Sequence, residues 1–413
     1  MSEPGTVLAA DLIAAADIDG AARAIAGVAA LTPTIGCEDL TEMAGTTVLL
    51  KAECLQRGGS FKLRGALSKL AALGETASGL VTASAGNHGR AVALAARIRG
   101  VECAVFMPRD APVSKVAAVE RLGARVQLEG TSVEEALELA ARCAAETGAA
   151  LVHPFDDIDV IAGQGTLGLE LLAQVPDLAR VLVPVGGGGL AGGIGIALRR
   201  ARPHVELIGV QASACAPYAN ALRDAGSGDA AEVAPGATIA DGIAIKRPGR
   251  LTLPLLRELL AGLQTVSEDE IAAAMVFLAE RAKLVSEGAG AVAVAALLSG
   301  RLAPVAGATV ALVSGGNVDS GLLAGLLRRR ETEEGRRVRL FTRVADRPGG
   351  LAELLSLVAH ARANVVSVEH VREAVPLHVR ETGVELTLET RGPGHTTEVV
   401  AVLREAHYEV TLE

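Results

Sequence analysis

The chain has 413 residues, half of them hydrophobic, and carries a net charge of −9 at pH 7. That length allows two or three domains, and the apolar content excludes an intrinsically disordered chain. The acidic balance argues against a nucleic-acid-binding protein, which would present a basic face, and no run of about 18 apolar residues is available to span a membrane.

Strand-like and helix-like segments alternate over roughly the first 330 residues, which predicts an α/β fold. The predicted strands cover residues 48–52, 79–83, 103–107, 125–128, 151–152, 180–185, 205–211 and 309–313. The predicted helices cover residues 61–73, 89–99, 112–122, 164–174 and 190–200. Capping boxes at Ser132/Glu135 and Ser267/Glu270 predict two further helices, to Glu146 and Leu284. The apolar run 289–298 predicts a buried helix.

The last part of the chain changes to the order strand, helix, strand, strand, helix, strand. These elements cover residues 338–344, 349–361, 364–371, 384–390, 396–406 and 408–412. The order predicts a ferredoxin-like βαββαβ unit. Because a unit of under about 80 residues buries little apolar surface, we expect it to pair with a second copy, in a homodimer or homotetramer. Residues 328–336, three arginines followed by glutamates, are expected to be a solvated linker between regions 1–327 and 337–413.

The five cysteines are odd in number and include no Cys-x-x-Cys pair. This pattern is typical of reduced thiols in a cytosolic protein. The first residues also lack the basic and apolar segments of a secretory signal, so we expect a cytoplasmic protein.

Lys62 stands behind two glycines, a serine and a phenylalanine, where an apolar run begins. Ser60 is expected to cap the following helix, so that its hydroxyl and the helix amides favour a phosphate. A partly desolvated lysine near other cations has a lowered pKa and can form a Schiff base. The alternative is an exposed lysine at a helix N-terminus, and these residues alone do not separate the two interpretations.

Four glycines, Gly186 to Gly189, follow a predicted strand and precede a helix. They let the backbone approach an anion closely and point several N–H groups at it, which predicts a phosphate site. Close packing is the alternative role of such a turn. The loop lacks the acidic partner of a dinucleotide fingerprint, and no Gly-Lys-Ser/Thr closes it as in a P-loop.

Two further polar turns follow predicted strands, at residues 84–89 and 314–317. Amides of the first turn and the Ser84 hydroxyl can hold a carboxylate, and Asn87 can donate to a phenolic oxygen. His88 invites the role of a base, but a histidine at a helix start more often makes a local hydrogen bond. Turns at the carboxyl ends of strands in an open α/β sheet line one crevice.

In this order, segments 60–66, 84–88, 186–190 and 314–317 resemble fold-type II pyridoxal-phosphate enzymes. Segments 155–157, 162–166 and 240–244 make the chain most similar to the threonine ammonia-lyases (threonine dehydratases) within that group. The resemblance covers nearly all of residues 20–327. It implies two open parallel-sheet α/β domains like those of tryptophan synthase β, the smaller (about 53–157) inserted in the larger. The tail resembles an ACT regulatory domain.

This resemblance also implies the roles of individual residues. Lys62 would carry pyridoxal 5′-phosphate, with Phe61 on its ring, Asn87 at the ring oxygen and Ser314 at the pyridine nitrogen. The remaining implied residues are Gly186, Gly187, Gly188, Gly189 and Leu190 at the phosphate, Ser84, Ala85, Gly86, Asn87 and His88 at the substrate carboxylate, and Glu287 and Gly242 near the ring. The implied reaction is the loss of water and ammonia from L-threonine to give 2-oxobutanoate, and from L-serine to give pyruvate.

Other activities remain open at this point. Serine racemases resemble the same core but carry an acid–base serine where this chain has Ala85, which disfavours racemisation. They also place a glutamate cation ligand where this chain has Gln211, followed by Cys215 and Pro217. That set suits a hard cation poorly, so no dedicated metal site is expected. A hydroxyaspartate dehydratase, a β-replacing synthase and a non-catalytic amino-acid sensor remain alternatives, and the intact Lys62 argues against the sensor.

The resemblance to ACT domains implies an effector site for a small amino acid at a paired interface. Asp346, Gly349, Asn364 and Val365 are the candidate contacts. Regulation by isoleucine or valine, as in isoleucine biosynthesis, and a catabolic role both remain open. A pure dimerisation module is the alternative.

Overall fold

The computed structural model describes residues 8–74, 78–223, 236–372, 378 and 380–412, and the chain divides into two units after Asp319. The strands of the first unit are β1 Thr34–Gly36, β2 Val48–Ala52, β3 Leu80–Ala83, β4 Cys103–Met107, β5 Arg125–Leu128, β6 Ala150–Leu151, β7 Leu178–Pro184, β8 Glu206–Ala212, β9 Gly262–Val266 and β10 Ala308–Val313. Its helices are α1 Ala9–Ala15, α2 Ile18–Ile25, α3 Glu38–Ala44, α4 Lys62–Leu73, α5 Asn87–Arg99, α6 Val113–Glu120, α7 Val133–Thr147, α8 Ile158–Gln174, α9 Gly189–Ala201, α10 Pro217–Arg223, α11 Thr252–Leu259, α12 Glu268–Phe277 and α13 Gly288–Leu298.

Two sheets organise the first unit. Six strands lie in the order β1-β2-β10-β7-β8-β9, parallel except for β1, which runs antiparallel to β2. The other sheet, β5-β4-β3-β6, is parallel throughout and comes from the chain between β2 and β7, where an inserted domain was expected. The predicted class of two open parallel sheets is confirmed.

Burial explains why these strands are parallel and central. Every residue of β3, β4 and β10 is buried, which requires cover on both faces of the sheet. The predicted buried helix 289–298 is α13, whose residues Gly288 to Leu297 are buried, and it packs on β10, β7, β8 and β9. Alanine and glycine make this close helix-to-sheet approach possible.

Several local predictions need correction. Ser60 does not cap α4, because the N-cap residue is Phe61 and Ser60 instead forms a backbone bridge with Gly315. The helix predicted over 164–174 begins six residues earlier, where the Asp157 carboxylate accepts from the first amides of α8. The helix expected to reach Leu284 ends as α12 and continues as a π-helical turn, Leu278–Ala282.

The two predicted capping boxes differ in outcome. The Ser267/Glu270 box is present in both directions. In the other, Ser132 accepts from the Glu135 amide, but the Glu135 carboxylate reaches back to the Thr131 amide rather than to that of Ser132.

The second unit contains α14 Ser320–Glu333, β11 Arg337–Ala345, α15 Gly350–His360, β12 Asn364–Val371, β13 Glu381–Glu389, α16 Pro393–Glu405 and β14 Thr411–Leu412. Its sheet has the order β12-β13-β11-β14 and is antiparallel throughout, so the ferredoxin-like prediction is confirmed. Residues 328–333 of the expected linker are the last turns of α14. Alternation along β11 sends Val338, Leu340 and Val344 into a core with α15 and α16.

No helix in the described part of the chain is long and apolar enough to cross a bilayer. All five cysteines have free thiols.

Candidate active site

The Lys62 segment and two of the polar turns meet where strands of the two sheets end. The turn at residues 84–88 follows β3, and the turn at 314–317 follows β10. The Ser60–Gly315 backbone bridge joins the Lys62 segment to the second of these turns. The amide side chain of Asn317 donates to Asn87 Oδ1 at 2.7 Å and so joins the two turns.

Lys62 is the first residue of α4, where an exposed amine would be ordinary. Its Nζ instead donates to the carbonyl of Pro154 at 2.8 Å and lies 5.2 Å from the centroid of the Phe61 ring. Burial lowers the pKa of Lys62 to about 8, although the Glu287 carboxylate acts in the opposite direction. The amine is therefore unprotonated often enough near neutral pH to act as a nucleophile. This geometry favours the desolvated lysine over the exposed one.

The segment that receives Lys62 also contacts the glycine loop. A Cβ atom on Gly187 would lie 2.0 Å from Cγ of Phe155, and one on Gly189 would lie 2.9 Å from the Phe155 carbonyl oxygen. Any side chain at these positions would displace Phe155, which follows the Pro154 that binds Lys62. Residues 154 and 155 thus bring the lysine and the loop to neighbouring places.

The glycine loop is shaped as a helix N-terminus. Gly188 has the left-handed conformation (φ 85°) that ends the turn after β7, and α9 begins at the next residue. The first amides of a helix have no intrahelical acceptor and point out of its N-terminus. These donors fit the phosphate of pyridoxal phosphate, and the Lys62 amine fits its aldehyde, so the chain has groups for both ends of that cofactor.

Asn87 is held by two partners from distant parts of the chain. Its Nδ2 donates to Glu287 Oε1 at 2.5 Å, and its Oδ1 accepts from Asn317, whose Nδ2 also donates to the Gly58 carbonyl at 2.9 Å. Both ends of the amide are therefore fixed, and the second Nδ2 hydrogen remains for the ring oxygen that Asn87 was expected to bind.

Glu287 is the N-cap residue of α13 and is almost fully buried. Burial raises the pKa of its carboxyl to about 7, and the negative charge of Asp241 adds to the increase, while the Asn87 hydrogen bond opposes it. A Cβ on Gly315 would lie only 2.2 Å from Glu287 Oε1, whereas one on Gly242 would make an ordinary contact at 3.9 Å. Gly315 therefore leaves the space in which this carboxyl sits, and Gly242 lies beside it.

The Ser84 hydroxyl and the His88 ring, both in the turn after β3, make hydrogen bonds within the chain. The Ser84 hydroxyl accepts from the Gly86 amide at 3.0 Å. His88 is buried, and its Nε2 lies 2.9 Å from the Val152 carbonyl oxygen, so the Nε2 carries the proton. Burial, with the nearby charge of Lys62, lowers the pKa of His88 to about 3. The neutral ring is a local hydrogen-bonding group and a poor proton shuttle at neutral pH.

Ser314 lies buried at the end of β10, next to the Lys62 segment. Its carbonyl accepts from the Phe61 amide at 3.1 Å. This bond fixes the residue before Lys62 to the large sheet. Ala85, in the turn after β3, is partly buried against the core of the small sheet.

The position compared with a cation site contains a different network. The Gln211 amide donates to the Val185 carbonyl and accepts from the Ala219 amide, and the Cys215 thiol donates to the Ile245 carbonyl. Among the described residues, no group of three or more histidine, cysteine or carboxylate side chains is arranged to hold a metal ion.

The candidate effector residues do not converge within one chain. Asp346 and Gly349 follow the end of β11, where Asp346 pairs with Arg372 at 3.2 Å. Asn364 and Val365 begin β12 at the other end of the sheet, because Ala345 pairs with Glu381 while Asn364 pairs with Glu389. Eight residues of strand separate the two pairs, or about 26 Å.

Two features of the site were missed by sequence reasoning. Asn317 belongs to a turn that was recognised, but it received no role, although an amide after two glycines at a strand end was a usable signal. The second is a buried ion-pair network of Lys51, Glu53, Arg64 and Glu170 beneath α4. Isolated charges in apolar segments, such as Lys51 in β2 and Glu170 in α8, were the available sign of it.

Comparison with known proteins agrees with this geometry. A family model described as "Pyridoxal-phosphate dependent enzyme" matches residues 25–316. The L-threonine ammonia-lyase of Thermotoga maritima is 45% identical over 97% of this chain and 100% of its own length. The crystal structure of the T.th. threonine deaminase superimposes with a TM-score of 0.69 at 42% identity, over 73% of this chain and 98% of that one. The structure of maize serine racemase superimposes with a TM-score of 0.70 at 34% identity, over 77% of this chain and 99% of that one.

Proposed function

Since the chain belongs to the family of pyridoxal-phosphate-dependent enzymes, we propose that it is a lyase that converts L-threonine to 2-oxobutanoate and ammonia. L-Serine, which has the same β-hydroxyl, would give pyruvate. The full-length match to an L-threonine ammonia-lyase carries this proposal, because it extends through the C-terminal unit as well as the site. Five free cysteines and the acidic composition are consistent with work in the cytoplasm.

The residues of the site divide the work between them. Bound pyridoxal phosphate supplies the electron sink that makes the substrate Cα–H acidic enough to remove. Lys62 would hold the cofactor through its side-chain amine. That amine, with a pKa of about 8, is suited to accept the Cα proton of the substrate. The amides from Gly186 to Leu190 would hold the phosphate, and the turn at residues 84–88 would hold the substrate carboxylate.

The surrounding residues orient these groups. Phe61 and Asn87 would contact the face and the oxygen of the cofactor ring, and Ser314 would contact its nitrogen. Glu287, with Gly242 beside it, keeps Asn87 in place. Racemisation would require a second acid–base group on the opposite face of the substrate, and Ala85 has no hydroxyl to provide it.

We also propose that the C-terminal unit binds a small amino-acid effector between two copies of the chain. The separation of Asp346 and Gly349 from Asn364 and Val365 supports a shared site, since one chain alone does not bring the four residues together. Assays with isoleucine and valine would identify the effector.

The first experiment measures keto-acid release from L-threonine and L-serine by the wild-type enzyme and by Lys62→Ala. We expect the wild type to absorb visible light, to be trapped by borohydride at Lys62 and to release 2-oxobutanoate. The alanine variant should lose all three properties. Lys69→Ala, which removes a partly exposed lysine on the same helix, is the matched control. A wild-type protein that is colourless, or that is coloured but releases no keto acid, would contradict the proposal.

A further inference from the structure

The glycine loop is in contact with two buried polar side chains that the proposed reaction does not use. These are Tyr218 on α10 and Gln211 on β8, both completely buried. Buried polar groups are normally retained for the bonds they make. Here the bonds lead to carbonyl groups of the loop and of the residue before it.

Tyr218 uses its single proton on the loop. Its hydroxyl lies 2.8 Å from the Gly187 carbonyl, 2.6 Å from the Thr252 hydroxyl and 3.1 Å from the Gly249 amide. A phenol has one hydrogen to donate. The Gly249 amide must donate to Tyr218 and the Thr252 hydroxyl is free to do so, which leaves the tyrosine hydrogen for Gly187.

Gln211 makes the equivalent bond two residues earlier. Its Nε2 donates to the Val185 carbonyl at 3.1 Å, and its Oε1 accepts from the Ala219 amide at 3.0 Å. The same side chain therefore joins the start of the loop to α10, the helix that carries Tyr218.

These two bonds determine where the next amides point. In a trans peptide the C=O of one residue and the N–H of the next point in opposite directions, and the described chain has no cis peptide. With the Gly187 carbonyl turned towards Tyr218, the Gly188 N–H is turned away from it. The Val185 carbonyl and the Gly186 N–H are related in the same way through Gln211.

We propose that Tyr218 is a positioning residue for the cofactor phosphate, with Gln211 as its lesser partner. Each holds one peptide of the loop so that the amides of Gly188 and Gly186 face the anion together with the first amides of α9. This inference rests on the proposed role of the loop as the phosphate site.

The position of Thr252 extends this network to Lys62. Asp156 accepts from the amides of Leu251 and Thr252, at 2.7 and 3.3 Å, and so fixes the N-terminus of α11 next to Tyr218. Asp156 lies two residues after Pro154, the acceptor of Lys62 Nζ. One short segment therefore relates the lysine to the tyrosine that orients the loop.

The test compares two ligands that differ only in the phosphate. Apo-enzyme is titrated with pyridoxal 5′-phosphate and with pyridoxal, and binding is followed by visible absorbance. In Tyr218→Phe we expect the dissociation constant for pyridoxal phosphate to rise about tenfold while that for pyridoxal stays within about twofold. Tyr408→Phe, which changes the other tyrosine of the chain, should leave both constants unchanged.

The outcomes separate this inference from the proposed function. If Tyr218→Phe binds both ligands more weakly by the same factor, or binds both as tightly as the wild type, Tyr218 does not have this role. A wild-type enzyme that binds pyridoxal as tightly as pyridoxal phosphate would overturn the loop as the phosphate site, and this inference with it. Should Tyr218→Phe fail to fold, Gln211→Met makes the same comparison on the neighbouring peptide, with the same selective loss expected.

Discussion

Charged side chains are buried beneath the candidate site of the first unit but lie at the surface of the second. Arg64, two residues after Lys62, binds Glu53 at 2.8 Å and Glu170 at 2.6 Å, and Lys51 binds the other oxygen of Glu170. Arg64, Glu53 and Lys51 are at most 1% exposed. In the second unit, pairs such as Arg347–Glu353 have both partners more than half exposed.

Buried and exposed ion pairs differ in how much stability is lost when one partner is removed. A buried ion pair that loses one partner leaves an uncompensated charge, at a cost of about 3–5 kcal/mol. An exposed pair contributes about 0–1 kcal/mol. The N-terminus of α4, and Lys62 with it, is therefore fixed to Glu53, just after β2, and to Glu170 on α8, in a way that tolerates little change. The surface of the second unit can change without loss of the fold.

Arg64→Met is the most severe way to break this contrast. The variant leaves the Glu53 carboxylate buried without the arginine that balances its charge, so we expect the free energy of unfolding to fall by about 3–5 kcal/mol. Urea denaturation of the apo-enzyme measures it. The control is Arg199→Met, which removes an exposed pair with Glu258 and should cost under about 1 kcal/mol. Equal losses of unfolding free energy in the two variants would show that the buried network stabilises the protein no more than an exposed pair does.

Local patterns in the sequence carried much of the fold and of the candidate site. The continuous apolar segments that became β4 and β10 predicted buried parallel strands, and glycine and polar residues at strand ends located the turns. The ferredoxin-like order was likewise visible in the alternation along β11 and β13. These signals depend on neighbours within a few residues.

What the sequence did not reveal depends on partners far along the chain. Asn87 and Asn317 are 230 residues apart, and Arg64 and Glu170 are 106 apart. No periodicity encodes such pairs. The same cause explains the error at Ser60, whose local pattern predicted a helix cap but whose backbone pairs with Gly315. Tertiary pairing replaced a local hydrogen bond there.

Glu287→Gln tests whether ionisation of the buried Glu287 carboxyl destabilises the folded protein. The folded protein raises the pKa of Glu287 to about 7 from an ordinary value of 4.5. Between these pH values the Glu287 carboxyl is ionised in the unfolded chain but stays protonated in the folded protein, so the stability of the wild type falls as pH rises through this window. Below pH 4.5 the carboxyl is protonated in both states and does not reduce stability. Glutamine does not ionise, so the variant should gain on the wild type by up to about 3 kcal/mol above pH 7.

The measurement is thermal or urea unfolding of the two apo-enzymes between pH 5 and pH 8. The difference between them should be small at the acid end and should grow towards neutral pH. A difference that is constant across this range would mean that the Glu287 carboxyl ionises alike in the folded and unfolded states.

Asn317→Ala tests whether Asn317 holds Asn87 in place within the site. The substitution removes the donor that holds Asn87 Oδ1 and the donor to the Gly58 carbonyl. We expect kcat/KM for L-threonine to fall about tenfold, together with a shift in the visible absorbance of the bound cofactor. Asn220→Ala, an exposed asparagine on α10, is the control and should change neither. An unchanged absorbance in Asn317→Ala would mean that Asn87 keeps its place without this partner.

Asp346→Asn should have the smallest effect on stability and the most informative effect on regulation. Its pair with Arg372 is exposed, so we expect stability to change by less than about 1 kcal/mol and activity without effector to stay the same. If an effector site spans two copies, Asp346→Asn and Asn364→Ala should each abolish the response to effector.

Mixing these two variants decides between a shared site and a site within one chain. In a two-fold dimer formed from one copy of each, both substitutions fall in the same site and the other site is intact. Co-expression in equal amounts should therefore restore about a quarter of all sites, measured as the fraction of activity that responds to the effector. A site within one chain would contain both residues in the same copy, so every mixed dimer would remain unresponsive. The 26 Å or so between the two ends of the sheet makes restoration the expected result.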